Sequence, residues 1–142
     1  MKNRDMILLL VEKSINAFGQ MMGLNEEAKL KIALTIIQNT IQDSFEINSN
    51  YLSGETLAGI LAKKTLGIEQ ASLLTNLLWT EAEILLKLNR PQYSLTQYEN
   101  ALQLLHWKAK QSIEKDLLER NNKIRELETI IKKLKLPNEI LL

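Results

Sequence analysis

The chain predicts an all-α fold, built of antiparallel helical hairpins with five or six helices and closed by a long C-terminal amphipathic helix. Three observations carry this. Leucine and isoleucine supply most of the apolar residues, whereas Val11 is the sole valine and aromatics make up only 5%. Unbranched leucine keeps its rotamers in a helix, and β-branched and aromatic residues dominate strands. Only five glycines and two prolines interrupt the chain, so long elements follow. Apolar residues recur at helical spacing throughout. At 142 residues the whole chain, 1–142, fits one domain with a core of its own.

The first predicted helix starts near Asn3 or Asp5, and Ile7, Val11, Ile15, Phe18 and Met22 line one face, widened by Leu10, Ala17 and Met21. Gly23 ends it by accepting the left-handed conformation of a helix C-terminus. Asn25 caps the next helix, with Glu26 and Glu27 where the helix dipole favours negative charge. Leu30, Leu34, Ile37, Ile41 and Phe45 form one stripe there and Ile32 and Ile36 a second, the pattern of a helix packed on two sides. These two helices make an N-terminal hairpin over 1–47.

Asn48-Ser49-Asn50 reads as a loop. Ser53 caps a short helix within 53–66 that faces Leu57, Ile60 and Leu61 inward, with Gly59 permitting a close crossing and Gly67 as its stop. A second hairpin is expected over 68–109. Its first helix has Leu74, Leu78, Ala82 and Leu85 on the inner stripe and Leu77, Ile84 and Leu88 beside it; Pro91 opens its second.

Between Gln92 and Leu136 there is neither Gly nor Pro, which permits one very long helix or two joined near His106 to Ser112. Leu95, Tyr98, Leu102, Leu105 and Ala109 form the first stripe. Ile113, Leu117, Ile124, Leu127, Ile131 and Leu134 continue it in steps of three and four, broken by Arg120 at one seam position. The segment 110–136 is therefore either a helix that folds back to cap the domain or an assembly helix that pairs with its copy in a homodimer. Acid-first pairs four apart, Asp116 with Arg120, Glu119 with Lys123 and Glu128 with Lys132, suit an exposed helix face.

The hairpin also carries a resemblance. Leu85-Leu86-Lys87-Leu88-Asn89-Arg90, followed by Ser94, Tyr98 and Ala101-Leu102, resembles a tetratricopeptide repeat (TPR), with Ala82 and Leu85 at the small and large positions of its first helix. The sequence departs from that pattern at Glu81, where the family is usually apolar, and at Pro91, where an aromatic is common. The resemblance covers about a quarter of the chain. A looser similarity to small uncharacterised TPR-like bacterial proteins rests on Asp5-Met6-Ile7-Leu8 and on Gly23-Leu24. What the TPR resemblance implies is a non-catalytic interaction or scaffold module that binds a protein or peptide partner on a concave face. In that register Asn76, Trp79, Glu83, Leu86 and Lys87 line the face; core packing is the competing reading of Trp79.

Chemistry-bearing patterns are sparse. His106 is the only histidine and there is no cysteine, so histidine clusters, thiolate sites and serine-histidine triads lack parts. Glu81 and Glu83, two apart, point to different sides of a helix and do not make a paired-carboxylate site. No phosphate-loop, dinucleotide or zinc pattern occurs, so neither a cofactor nor an enzymatic activity is expected. Lys132, Lys133 and Lys135 read as a solvated helix end, and Met21-Met22 as core filling. A net charge of +1 offers no broad field for nucleic acid. The apolar run Met6 to Val11 is cut short by Glu12 and Lys13, so neither a signal peptide nor a membrane span is expected, and a cytoplasmic location is.

Overall fold

A computed structural model describes residues 25–63, 66–111 and 117–136, together with the single positions Leu9, Lys13, Ala17 and Gly23. Among these residues the chain is all-α. Helix α1 spans Glu26–Phe45, a 3-10 turn spans Ser49–Tyr51, α2 spans Gly54–Ala62, α3 spans Ile68–Lys87, α4 spans Pro91–Gln111 and α5 spans Leu117–Lys135. Most of the expected first helix, the Met21-Met22 pair, Asp116 and Pro137 lie outside the described residues; Leu9, Lys13 and Ala17 are helical and exposed, so Ala17 does not widen a buried face, and Gly23 has the left-handed φ of 64° that its expected capping role requires.

Each helix starts and stops for a local reason. Asn25 accepts the Ala28 amide at 2.8 Å and so begins α1, and Ser53 accepts the Thr56 amide at 3.2 Å to begin α2. Helix α1 ends on Glu46 in the left-handed region, its amide bonded to the Gln42 carbonyl at 2.9 Å. Helix α3 ends in a Schellman motif. Asn89 takes φ 61°, the Asn89 amide bonds the Leu86 carbonyl at 3.0 Å and the Arg90 amide bonds the Leu85 carbonyl at 2.9 Å. Pro91 then opens α4, where a missing amide hydrogen costs nothing.

Two of the glycine assignments change. Helix α2 ends at Ala62 with Lys63 as its cap, and Gly67 instead starts α3, where its amide donates to Gln70 Oε1 at 2.9 Å. Gly59 makes no close crossing with the described residues, because none of them lies within 4 Å of the place a Cβ would occupy; Leu57 and Leu61 carry the packing of that short helix. The second stripe of α1 is also not buried as expected. Ile36 is exposed and Ile32 only partly covered, whereas Leu34, Ile37 and Ile41 enter the core.

The core is layered along the chain order. Helix α3 packs on α1 and on α4, and α4 in turn carries α2 and α5. The α3–α4 hairpin closes on small residues: Ala82, Ser94 and Ala101 are buried beside Leu85 and Tyr98, and the Ser94 hydroxyl donates to the Ala82 carbonyl at 2.7 Å. A small side chain on one helix is the hole that a large one on its neighbour fills.

Of the two arrangements open for 92–136, the described residues show two helices, and the first extends to Gln111, beyond the boundary expected at 110. Helix α5 lies antiparallel against α4. Arg120, near its start, donates to the Lys108 carbonyl at 3.4 Å, and Lys135, at its end, pairs with Glu99 at 3.3 Å. Ile124, Leu127 and Ile131 bury the stripe between these points. Arg120, which breaks the apolar seam, is itself buried and brings its positive charge to the last turn of α4, where helix carbonyls lack partners. No described helix is long and apolar enough to cross a membrane.

Candidate functional site

The five residues expected to line a concave face do not form an open surface. Their spacing puts them on one side of α3, yet that side is covered over most of its length. Asn76 is 7% exposed and Trp79 2% exposed, Glu83 is half-buried, and only Leu86 and Lys87 emerge at the helix end. Every residue from Leu74 to Ala82 is buried, because α3 is the central helix and is enclosed on all sides there. Trp79 belongs to the core, the competing reading of that residue, and the placement of Asn76 and Trp79 on a partner-binding face is corrected accordingly.

What that enclosure does place at the centre of the molecule is a carboxylate. Glu81 is 0% exposed, on the side of α3 that faces α1 and the 3-10 turn. Its Oε2 accepts the Gln38 side-chain amide at 3.1 Å and the Ser49 hydroxyl at 3.0 Å. Its Oε1 is buried and accepts nothing. No cation is in ion-pair contact with it among the described residues. Burial raises the carboxyl above its ordinary value, and the bonds from Gln38 and Ser49 only partly oppose that effect.

The partners of Glu81 are held by a polar framework. Gln38 uses both amide hydrogens, one on Glu81 and one on Asn50 Oδ1 at 3.1 Å. Asn48 caps the 3-10 turn by accepting the Asn50 amide at 3.1 Å. Three amides spaced three apart on one face of α4 then fasten the segment after it. Gln97 donates to the Ser49 carbonyl at 2.8 Å, Asn100 to the Leu52 carbonyl at 3.1 Å and Gln103 to the Gly54 carbonyl at 2.9 Å. Asn100 also donates to Gln97 Oε1 at 2.9 Å, so the first two act as one unit. Gly54 lets Gln103 come this near, since a Cβ there would lie 3.2 Å from Gln103 Oε1.

Above Glu81 opens a cleft of about 550 Å³. Gln38, Ser49 and Glu81 contribute to its polar lining, and Arg90, Tyr51 and Tyr93 line it from exposed positions. The two tyrosines are 80% and 67% exposed. The arrangement suits binding: a partly apolar cleft with a buried acceptor whose valence is unfilled. His106 is exposed on α4 and absent from this cleft. Among the described residues no group of three or more His, Asp or Glu side chains gathers as metal ligands.

Comparison with family models, with curated proteins and with solved structures finds no match. The class that fold and site define is an all-helical protein with a buried carboxylate beneath an open cleft. Sequence reasoning passed over this site, although the signal was present: Glu81 stands where the helix pattern asks for an apolar residue, and Asn48-Ser49-Asn50 is dense in side chains that bond to backbone.

Proposed function

We propose that the protein is a non-catalytic binding module, a TPR-like helical scaffold that holds a protein or peptide partner, and that the partner docks at the Glu81 cleft instead of along the outer face of α3. The observation that carries this reading is the pairing of two exposed tyrosines, Tyr51 and Tyr93, with a buried polar acceptor between the elements that bear them. Exposed aromatic side chains next to a desolvated polar group are the usual anchors of an interface. The α3–α4 hairpin, with Ala82, Leu85, Ser94, Tyr98 and Ala101 buried together, supports the repeat-like part of the reading.

The alternative, assembly of copies through the last helix, has less to support it. The stripe such an assembly would use, Ile124, Leu127 and Ile131, is already buried inside the chain. Light scattering and affinity capture test the two together. The module reading expects a monomer at high micromolar concentration whose captured partner is lost on Tyr51→Ala or Tyr93→Ala, with folding unchanged because both rings are exposed. A stable dimer, or capture indifferent to both rings, refutes it.

A further inference from the structure

The unfilled valence of Glu81 narrows the chemistry of what enters the cleft. Its Oε2 is occupied by two donors, and Oε1 is a buried acceptor without one. Buried polar atoms are almost always bonded, and an orphaned carboxylate oxygen is among the least tolerated of them. The framework around it is largely occupied: both hydrogens of Gln38 are used, Ser49 is bonded through its hydroxyl and its carbonyl, and Asn100 donates to Gln97. Gln38, Ser49 and Asn100 have no donor left to turn toward Oε1 without breaking a bond already made, and the amide nitrogen of Gln97 is held on the Ser49 carbonyl. A donor brought by a ligand can fill this place, and a positively charged one answers both the bond and the charge.

We infer that the cleft receives the ε-ammonium of a lysine presented by a partner peptide, which donates to Glu81 Oε1 while its methylene stem lies along the rings of Tyr51 and Tyr93. This rests on the module reading above. A lysine fits better than an arginine. One oxygen is open where a guanidinium fork would ask for two, and a thin four-carbon stem reaches a buried acceptor with its head group last. Oε1 is closed to water, so the arriving stem must move a neighbouring side chain; Tyr51 and Tyr93, the two lining rings, are largely exposed and free to make room along the cleft. The tyrosine faces also favour a cation passing between them. Arg90 at the cleft is the one feature that opposes a cation, and its exposed position leaves it able to turn away.

The test uses the full chain and Nα-acetyl-lysine N-methylamide as probe, followed by the ring resonances of Tyr51 and Tyr93 in NMR titration. Saturable shifts are expected with the wild type. Binding should weaken at least tenfold with the Nε-acetylated form of the same probe, which has the same stem and no charge, and at least tenfold with Glu81→Gln, which keeps an oxygen for Gln38 and Ser49 and so preserves the fold. Arg90→Gln should bind the probe as tightly as the wild type or more so. Equal shifts with the acetylated probe, undiminished binding to Glu81→Gln, or loss of binding in Arg90→Gln would each overturn the lysine assignment. If the probe fails while partner capture still depends on Tyr93, the lysine assignment falls and the module reading stands; if capture is indifferent to both tyrosines, the module reading itself fails.

Discussion

Gln97 donates its side-chain amide to the Ser49 carbonyl at 2.8 Å, joining the second helix of the central hairpin to a turn 48 residues earlier. Ser49 passes the connection on through its hydroxyl to Glu81. A buried carboxylate, a turn and an amide row are thus one unit, and most of what can be tested follows from its bonds.

Removing the amides should cost stability in a coupled way. Gln97→Ala and Asn100→Ala each strip the donor from a carbonyl in the 49–52 segment and should each destabilise by about 1–3 kcal/mol in urea unfolding. Because the two amides also bond each other, the double variant should cost less than the two single losses combined. Strict additivity would show that they do not act as a unit.

Glu81 should make stability depend on pH. Its folded carboxyl holds its proton more tightly than the unfolded one, since burial disfavours the charge. The folded state then binds more protons between the unfolded value and the raised folded one, so stability from this group is greatest at low pH and is lost as pH rises through that interval. Glu81→Gln should flatten this slope and gain on the order of 1 kcal/mol at pH 8. Unfolding curves from pH 4 to 8 that keep the same slope in both proteins would contradict it.

Backbone strain offers a separate handle. Glu46 and Asn89 both hold positive φ, 57° and 61°, where a Cβ is crowded. Glu46→Gly should raise stability by up to about 1 kcal/mol. Asn89→Gly should change it by only a few tenths of that, because asparagine tolerates the left-handed region. Thermal unfolding of the pair would expose the difference, and a loss on Glu46→Gly would refute the account.

The corrected position of Trp79 changes what its substitution reports. Trp79→Ala empties a core site and should cost about 3–5 kcal/mol, so a lost partner in that variant would report damage to the fold. Leu127→Ala, in the helix that covers α4, should cost about 2–5 kcal/mol. Lys87→Ala, at the exposed end of α3, should stay within about 0.5 kcal/mol of the wild type. Near-wild-type unfolding of Leu127→Ala would mean that α5 is not part of the folding unit.

Particular residues explain why the fold was more legible than the site. Asn25, Ser53, Pro91 and the stripe through Leu74, Leu78, Ala82 and Leu85 act through neighbours three or four positions away, so helical spacing alone recovers them. The polar unit joins Gln38, Ser49, Glu81 and Gln97, and most of its bonds cross more than thirty residues. No local pattern encodes such a pairing. Trp79 stayed between two readings for a related reason: a helix enclosed on every side has no face that periodicity can mark as outward.

The residues by themselves determined an all-helical chain, the caps at Asn25 and Ser53, the turn at Asn89 to Pro91 and the buried stripes, because short-range sterics and hydrogen bonds decide these. Only the tertiary structure decided that the C-terminal helix folds back on α4, that Trp79 belongs to the core and that Glu81 lies buried with one oxygen unfilled. Those outcomes depend on which surfaces meet and how much water they exclude, and burial is a property of the packed chain that no single segment carries.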